Sequence, residues 1–220
     1  MTTTAVKAYK GMGMEGGIAR WYDKTTRKSM DDFRALAAEI AAKAPAGGKV
    51  LEIAPGPGFL SIEMAKRGLD VQAVEISKTF IEIGRKNAAE EGANVVFMQG
   101  NAAELPVIQE SVDFVVCRAA FKNFTEPVKA MREMLRVLRP GGTALLIDMR
   151  RDVPVEELRK YVDGLGVSWI NRKFMMLTFR GMLIKRAYPL EEIRRMAAEA
   201  GWKDVQMETT PVGFAARVRK

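Results

Sequence analysis

The amino-acid sequence predicts an α/β fold with a doubly wound, mostly parallel sheet. Short apolar stretches alternate with amphipathic helical stretches over residues 49–148, which is typical of parallel strands joined by helices. A glycine turn stands between the first of these strands and the helix that follows it. The chain has 220 residues, of which 48% are hydrophobic, enough to build one core. We therefore expect a single domain.

The expected elements follow from the spacing of apolar residues along the chain. Six helices are expected, at residues 29–43, 59–67, 78–91, 127–138, 154–163 and 190–200. Seven strands are expected, at residues 49–54, 70–75, 94–98, 112–117, 142–148, 203–209 and 212–218. Ser29 and Ser77 fit the N-cap position, where a hydroxyl accepts a bond from a free helix amide, and Pro127 fits a first helical turn.

The glycine turn after the first strand has the layout of a site for a nucleoside-containing ligand. Gly56 and Gly58 lack a Cβ atom, so the backbone can adopt positive φ and a ligand can lie against it. The following helix directs free N–H groups toward that ligand. Glu75 ends the second strand, where its carboxylate can accept hydrogen bonds from two ribose hydroxyls. Strand, turn, helix and acid thus stand in the order that the motif requires.

The turn departs from the dinucleotide-binding pattern GxGxxG. In either alignment the third glycine position holds another residue, Ser61 or Phe59. In addition, Glu52 lies inside the first strand, where its carboxylate would repel a pyrophosphate and attract an ammonium or sulfonium group. The sequence therefore favours a nucleoside with a positively charged tail, and an NAD-dependent reductase is the least favoured alternative.

Over about residues 20–220 the sequence resembles the class I S-adenosylmethionine-dependent methyltransferases, in the small-molecule group (methyltransferase type 11) that includes ubiquinone and menaquinone biosynthesis enzymes. In that family the first strand and turn read D/E-x-G-x-G-x-G. Here they read EIAPGPG, with Ala54 in place of the first glycine, a replacement that is tolerable if φ there is negative. The other matching blocks are VEIS at 74–77, GNAAELP at 100–106, VDFVVCRAAFKNF at 112–124 and RVLRPGGTALLID at 136–148.

The resemblance implies a Rossmann-like seven-stranded sheet with an antiparallel C-terminal hairpin edge and a small lid insertion. It also implies S-adenosyl-L-methionine as cofactor and S-adenosyl-L-homocysteine as product. Glu52 would face the methionine end of the cofactor, Glu75 the ribose and Ile76 the adenine. Asn101, where the family usually has Asp, would accept from the adenine amino group, or would be a simple turn residue. The full set of expected cofactor residues is Tyr22, Glu52, Ala54, Gly56, Gly58, Glu75, Ile76, Asn101, Ala102 and Arg118.

The residues expected to act on the methyl acceptor follow the fourth and fifth strands. The chain has no His and one Cys, which excludes a classical zinc site and a histidine-based triad. The family often has a His pair after the fourth strand, where this chain has Lys122 and Asn123. These two could orient the acceptor or could equally be surface groups, and Tyr22 could act in the site or cover the sheet edge. The candidate catalytic residues are Lys122, Asn123 and Tyr22, and the candidate substrate contacts are Phe121, Arg150 and Arg151.

Charge is distributed unevenly along the chain, whose net charge is +8. Residues 29–149 carry 14 basic and 16 acidic side chains, whereas residues 1–28 and 150–195 carry net charges of +4 and +5. This pattern favours a small, partly apolar and anionic substrate, with a solvated basic surface as the alternative. No basic run or RNA-binding module is present, so nucleic acid is not expected. The alternative functions are an RNA or protein methyltransferase and a cofactor-binding protein without transfer activity.

We expect one methyltransferase domain in four parts. These are an N-terminal cap (1–45), a cofactor-binding core (46–149), a substrate lid (150–188) and a C-terminal helix and hairpin (189–220). The apolar and basic stretch 169–187 is the expected lid; it could be plain core, or could contact a membrane surface transiently. No signal-peptide pattern and no run of 18 apolar residues is seen, so we expect a cytoplasmic monomer or homodimer.

Overall fold

The computed structural model describes residues 9–10, 13–164, 169, 173, 176, 177, 181 and 184–220. Seven strands form one sheet: β1 (Lys49–Ile53), β2 (Asp70–Glu75), β3 (Val95–Gln99), β4 (Val112–Arg118), β5 (Leu138–Met149), β6 (Gln206–Thr209) and β7 (Gly213–Arg219). Their order in the sheet is β3-β2-β1-β4-β5-β7-β6. The first five strands pair in parallel, and β7 pairs antiparallel with both β5 and β6. The expected mixed sheet with an antiparallel C-terminal edge is confirmed.

The principal helices in the described residues are α1 (Gly16–Thr26), α2 (Met30–Lys43), α3 (Phe59–Ala65), α4 (Lys78–Glu90), α5 (Pro127–Val137), α6 (Val155–Gly164) and α7 (Leu190–Glu199). Short helical turns cover Arg27–Ser29, Phe121–Asn123 and Ile184–Arg186. The ends of the six expected helices lie within about two residues of the observed ends, the usual precision of such boundaries. No helix in the described parts of the chain is long and apolar enough to cross a membrane.

All three residues stand at the expected helix starts, but one of them makes no capping bond. The Ser77 hydroxyl accepts a 3.1 Å hydrogen bond from the Phe80 amide, and Pro127 opens α5. Ser29 makes no capping bond to α2. The reason is that α1, which the sequence analysis did not predict, continues through a 3₁₀ turn into α2. The amides of the first turn of α2 therefore do not emerge from an extended segment, as N-capping requires.

The strand order predicts a ligand-binding crevice at the centre of the sheet. The chain winds outward from β1 to β3 in one direction and from β4 to β5 in the other. Open parallel sheets bind ligands outside the carboxyl ends of the two strands where this direction reverses, here β1 and β4. Ile53 and Cys117, near the carboxyl ends of these strands, are paired in register. The loops that follow them therefore face each other across the crevice.

The two faces of the sheet are each buried by helices. Because successive side chains of a strand point to opposite faces, Val50 packs with α2 and α3 whereas Leu51 packs with α5 and α7. Both side chains have no solvent exposure. A parallel strand that is covered on both sides is mostly apolar, and β1 follows this rule with Val50, Leu51 and Ile53, interrupted only by Glu52.

Close packing between α3, α4 and β3 fixes the position of the glycine turn. Gly58 has φ +83° and immediately precedes α3. A Cβ atom at Gly58 would lie 2.8 Å from the Phe97 ring, and a Cβ atom at Gly84 would lie 2.6 Å from the same ring. The second turn glycine is thus required by its backbone conformation and by the aromatic side chain beside it.

The substitution Gly58→Ala should destabilise the protein more than Gly68→Ala. Both positions have φ +83°, but a Cβ atom at Gly68 would meet no atom within 4 Å. Gly68→Ala therefore carries only the backbone strain of about 1 to 2 kcal/mol, while Gly58→Ala adds an overpacking cost of about 1 to 3 kcal/mol. Chemical denaturation measures both. Equal losses of unfolding free energy would contradict the steric role of Phe97, and Phe97→Leu should partly relieve Gly58→Ala.

Candidate active site

The carboxylate of Glu75 joins the end of β2 to the glycine turn. Its Oε2 atom accepts a hydrogen bond of 3.0 Å from the Gly56 amide, and its Oε1 atom accepts bonds from the amides of Ile76 (2.8 Å) and Ser77 (3.0 Å). Burial raises the pKa of Glu75, while the three amide bonds oppose that rise. Because an ionised carboxylate offers about four acceptor positions, Oε2 retains capacity for a further donor.

A second buried carboxylate, Glu52, lies in β1 next to the same turn. It is 3% exposed and accepts a hydrogen bond from the hydroxyl of Ser61, in the first turn of α3. Burial raises the pKa of Glu52 to about 7, against the lowering effects of Ser61 and the nearby Arg118. In the described residues this acid has a hydroxyl as its hydrogen-bond partner and no ion pair at salt-bridge distance. The crevice therefore holds acidic charge that is only partly compensated.

The glycine turn adopts the expected conformation, with one correction. Gly56 and Gly58 both have positive φ, as predicted. Ala54 also has positive φ, at +56°, whereas the sequence analysis required a negative value there. The reason is that the Ala54 amide, through its 2.8 Å bond to Val74 O, still continues the β1–β2 pairing, so the turn has to begin at Ala54 itself. Alanine thus occupies a backbone conformation that favours glycine.

Tyr22 lies over the glycine turn. A Cβ atom at Gly56 would be 3.9 Å from its ring, and the ring makes an edge contact with Phe80 at a centroid distance of 5.8 Å. Asn87 of α4 holds the helix of Tyr22 in place: its side-chain amide donates to Pro57 O and to Asp23, both at 3.0 Å. Sequence reasoning missed Asn87, because a single polar residue in a helix gives no signal until the fold brings the turn to it.

The described residues before α1, 9–10 and 13–15, contact loops at the carboxyl edge of the sheet. At one end the Lys10 amide donates a 2.7 Å bond to Asn123 O, after β4. At the other end Met14 O accepts a 2.8 Å bond from the Ser77 hydroxyl, after β2, and the Glu15 carboxylate accepts from the Lys78 and Thr79 amides. Sequence analysis assigned this region to a cap in general terms but named none of these contacts.

Tyr9 is a further residue of this edge that the sequence analysis missed. It forms an isolated antiparallel bridge with Phe124. Burial raises the pKa of its phenol, the nearby Arg186 opposes the rise, and Glu75 and Asp148 add to it. Glu75 and Asp148 lie at the ends of β2 and β5, and Arg186 lies at the end of the expected lid.

The residues expected at the adenine lie on the β2 side of the crevice. Ile76 is 40% exposed, which leaves an apolar surface beside Glu75. The Asn101 side-chain oxygen accepts a 3.0 Å hydrogen bond from the Ala103 amide, so Asn101 does stabilise a local turn. Ala102 is buried in the core next to it. The Asn101 amide nitrogen and the remaining acceptor position of its oxygen are not used by that bond.

The residues after β4 are held by a buried ion pair. Lys122 Nζ lies 2.8 Å from Asp148 Oδ1 and donates to Ala119 O at 2.6 Å. Lys122 and Asn123 are 6% and 9% exposed, so the alternative that they are surface groups is wrong. They are buried because a short helical turn folds them back under the loop. Arg118 lies with its guanidinium 4.6 Å from the centre of the Phe33 ring.

The expected substrate contacts divide into one apolar and two basic residues. Phe121 is 1% exposed and packs against Phe124 and Tyr188. Arg150 is paired with Glu157 at 3.1 Å, and its side chain is 11% exposed. Arg151 is paired more loosely with Glu192, at 3.4 Å, and its side chain is 50% exposed. A cavity of about 480 Å³ beside the β6–β7 turn is lined by Arg150, Glu157, Lys160, Tyr161, Thr209, Thr210 and Pro211.

Most of the stretch 169–187, the expected lid, lies outside the described residues. This applies to Phe174, Met175, Phe179, Met182 and Leu183 and to the neighbouring Arg172 and Arg180. Of the residues that are described, Trp169 and Leu177 are 64% and 71% exposed, and Lys173 Nζ lies 5.2 Å from the centre of the Trp169 ring.

Comparison with known proteins shows which family this chain resembles. A family model described as a methyltransferase domain matches residues 51–146, from β1 into β5. The ubiquinone/menaquinone biosynthesis C-methyltransferase UbiE of Marinomonas sp. is 34% identical, over 92% of this chain and 80% of that protein. The demethylmenaquinone methyltransferase of Renibacterium salmoninarum is 29% identical, over 84% of this chain and 78% of that protein.

Solved structures share the fold. A structure described as a SAM-dependent methyltransferase from Aquifex aeolicus superposes with a TM-score of 0.66 at 18% identity, over 90% of this chain and 97% of that chain. A candidate S-adenosyl-L-methionine-dependent methyltransferase from Methanococcus maripaludis gives a TM-score of 0.76 at 21% identity, over 98% of this chain and 97% of that chain. With the sequence relatives, this confirms the resemblance read from the turn and the four later blocks. The chain belongs to the class I small-molecule S-adenosylmethionine-dependent methyltransferases, in the group that contains the ubiquinone and menaquinone biosynthesis enzymes.

Proposed function

We propose that this methyltransferase transfers the methyl group of S-adenosyl-L-methionine to a ring carbon of a small, partly apolar hydroquinone-type molecule in its anionic form. The observation that carries the cofactor half of the proposal is the hydrogen bond from the Gly56 amide to Glu75, which fixes an acid against an open glycine turn. The acceptor half is supported by the names of the relatives, which state demethylmenaquinone and ubiquinone/menaquinone C-methylation.

The residues around the turn fit the cofactor. The face of Gly56 is open, since a Cβ atom there would contact nothing within 4 Å except the Tyr22 ring. Glu75 Oε2 has acceptor capacity for a ribose hydroxyl, and the exposed side chain of Ile76 can lie against the adenine. The buried Glu52 would favour the cationic methionine end, because a nearby positive charge stabilises an ionised carboxylate.

The bound cofactor would supply a methyl group that is attached to its sulfonium sulfur. The protein's part is then to hold the acceptor carbon in line with the methyl group and to exclude water, and such positioning is worth roughly 7 to 11 kcal/mol. Lys10 and Met14, which bond to Asn123 O and to the Ser77 hydroxyl, lie with the Tyr22 helix at the carboxyl edge of the sheet and would help to exclude water. A hydroquinone that is already deprotonated would attack through a ring carbon, and the hydrogen that this carbon still carries would then be lost as a proton to water or a weak base as the ring becomes aromatic again. No strong protein base is needed for either step, which fits a chain that contains no histidine.

The anionic form of the acceptor is favoured by the basic residues after β5. Arg151 is the better candidate contact, because half of its side chain is exposed and its ion pair with Glu192 is long. The head group of Arg150 is instead engaged by Glu157 and by Asp152 O at 3.1 Å. We assign Arg150 to holding α6 against β5 and Arg151 to attracting the acceptor.

Transfer to a reduced, demethylated naphthoquinone tests the acceptor assignment. With a cofactor that carries a deuterated methyl group, mass spectrometry should find one labelled methyl group in the product and NMR should locate it on a ring carbon. Arg151→Gln should raise the acceptor KM about tenfold, the loss of one charge-assisted hydrogen bond, and leave cofactor affinity unchanged. Arg194→Gln, at another exposed arginine, is the matched control. A label on oxygen, or an equal effect of both substitutions, would contradict the assignment.

The substitution Glu75→Gln should weaken binding of S-adenosyl-L-homocysteine roughly 10- to 100-fold, or about 1.5 to 3 kcal/mol, because a hydrogen bond to a charged group is lost. Gln keeps the side-chain volume, whereas Ala would also release the turn amides. Isothermal titration calorimetry gives the dissociation constant, with Glu82→Gln on the exposed face of α4 as control. An unchanged constant would remove Glu75 from the site.

The substitution Glu52→Gln should stabilise the ligand-free protein at pH 8 and weaken ligand binding. The pKa of Glu52 in the folded state, about 7, lies above its ordinary value of 4.5. Its contribution to stability is therefore full below pH 4.5 and is lost as pH rises through 7, where the buried carboxyl ionises. Gln removes that loss, so the thermal midpoints of the two proteins should diverge as pH rises.

Ligand affinity should have the opposite pH dependence. The ionised Glu52 would attract the ammonium group of the homocysteine end, so wild-type affinity for S-adenosyl-L-homocysteine should fall from pH 8 to pH 6, and Glu52→Gln should show a smaller change. Glu63→Gln is the matched control, because Glu63 is 4% exposed but pairs with Arg67 near the end of α3. The same pH dependence in all three proteins would refute the role of Glu52.

A further inference from the structure

We propose that Asp148 and Lys122 form a positioning clamp that fixes the loop after β4, residues 118–121, against the end of β5 and so sets the geometry of methyl transfer. This inference rests on the proposed function, because the loop acquires its importance from the reaction assigned to the crevice. It assigns Lys122 a positioning role in place of the catalytic role expected from sequence, and it adds Asp148, which the sequence analysis did not name.

The clamp consists of hydrogen bonds that converge on one carboxylate. Asp148 Oδ1 accepts from Lys122 Nζ at 2.8 Å and from the Met149 amide at 2.7 Å, and Oδ2 accepts from the Lys122 amide at 2.8 Å. Lys122 Nζ donates in addition to Ala119 O at 2.6 Å. The lysine therefore connects the loop carbonyl to the end of β5 through a single ammonium group.

The loop that the clamp holds is strained. Ala119 has φ +60°, a left-handed conformation that is costly for a residue with a Cβ atom. Such a conformation persists only when its surroundings fix it, and strain of this kind is concentrated at active sites. Here Ala119 is fixed from both sides: its amide donates to Ile147 O at 2.8 Å and its carbonyl accepts from Lys122.

The location of the loop gives the strain a function. Ala119 is exposed, whereas Cys117 before it and Phe121 after it are buried. It follows β4, whose end is paired with β1 directly before the glycine turn. The small, exposed Ala119 thus lies at the switch point of the sheet, while the ammonium group of Lys122 is buried against Asp148.

The burial of the pair explains why both partners are needed. The side chains of Lys122 and Asp148 are 8% and 1% exposed. Removing either partner leaves the other charge buried and unpaired, which is strongly unfavourable. The loop would then relax toward a conformation in which the remaining group reaches water, and Ala119 would lose the hydrogen bond that holds its carbonyl.

Four variants test the clamp: Lys122→Met, Lys122→Arg, Asp148→Asn and, as a matched control, Asp113→Asn. Asp113 accepts from the Lys49 amide at 2.8 Å and from Arg139 at 2.9 Å, so it is an ion-paired carboxylate of the same sheet at the opposite edge. Each variant is measured for thermal stability, for binding of S-adenosyl-L-homocysteine, for kcat and KM in methyl transfer, and for hydrogen exchange of residues 118–124.

We expect Lys122→Met and Asp148→Asn to lower kcat about 100-fold, because a displacement of about 1 Å produces a loss of this order. The dissociation constant of S-adenosyl-L-homocysteine should change less than about threefold. Exchange over residues 118–124 should rise in both variants and stay at the wild-type level in Asp113→Asn. Lys122→Arg should recover most of kcat, because a guanidinium can pair with Asp148 although it cannot act as a base.

Three outcomes would overturn the clamp. If Lys122→Arg is as slow as Lys122→Met, the lysine acts as a base. If Asp113→Asn loses as much kcat as the clamp variants do for the same loss of stability, the loss of activity reflects general destabilisation. If exchange over residues 118–124 does not change, the loop is not held by the pair. If the proposed function itself is wrong, the wild-type protein will not bind S-adenosyl-L-homocysteine. The hydrogen-exchange measurement would still show whether the ion pair holds the loop.

Discussion

The burial of three carboxylates at the carboxyl edge of one parallel sheet is the constraint on which the rest of this structure depends. Glu52, Glu75 and Asp148 lie at or near the ends of β1, β2 and β5 and are at most 5% exposed. A buried charge must be satisfied by hydrogen bonds or by a partner of opposite charge. The three acids have different partners: a serine hydroxyl for Glu52, backbone amides for Glu75, and a lysine together with two backbone amides for Asp148.

The loops at this edge take strained conformations that supply these partners. Ala54 precedes the turn that directs the Gly56 amide at Glu75, and Ala119 precedes the turn that carries Lys122 to Asp148. Both alanines have left-handed backbones, where glycine would be easier to accommodate. The edge therefore combines strain with compensating hydrogen bonds, an arrangement characteristic of functional sites.

The N-terminal segment completes the edge. It is attached after β4 through the Lys10 amide and after β2 through Met14 and Glu15, and Asn87 attaches α1 to the glycine turn. The same segment contacts Tyr188, whose hydroxyl accepts a bond from Lys10 and whose ring packs on Phe121. The N-terminal cap, the loop after β4 and the end of the expected lid are thus in contact around one crevice. A substitution in one of these parts should therefore change the positions of the other two.

The sequence by itself determined the class of fold, and it predicted a ligand site at the glycine turn. Apolar periodicity, the two glycines and Glu75 are local features whose meaning does not depend on distant residues. The tertiary structure decided the conformation of Ala54, the presence of α1, the burial of Lys122 and the roles of Asn87 and Asp148. Each of these depends on a partner far along the chain: Val74 for Ala54, Asp148 for Lys122 and Pro57 for Asn87. Sequence patterns describe what a residue can do, but only the fold determines which neighbour satisfies a buried charge or a free amide.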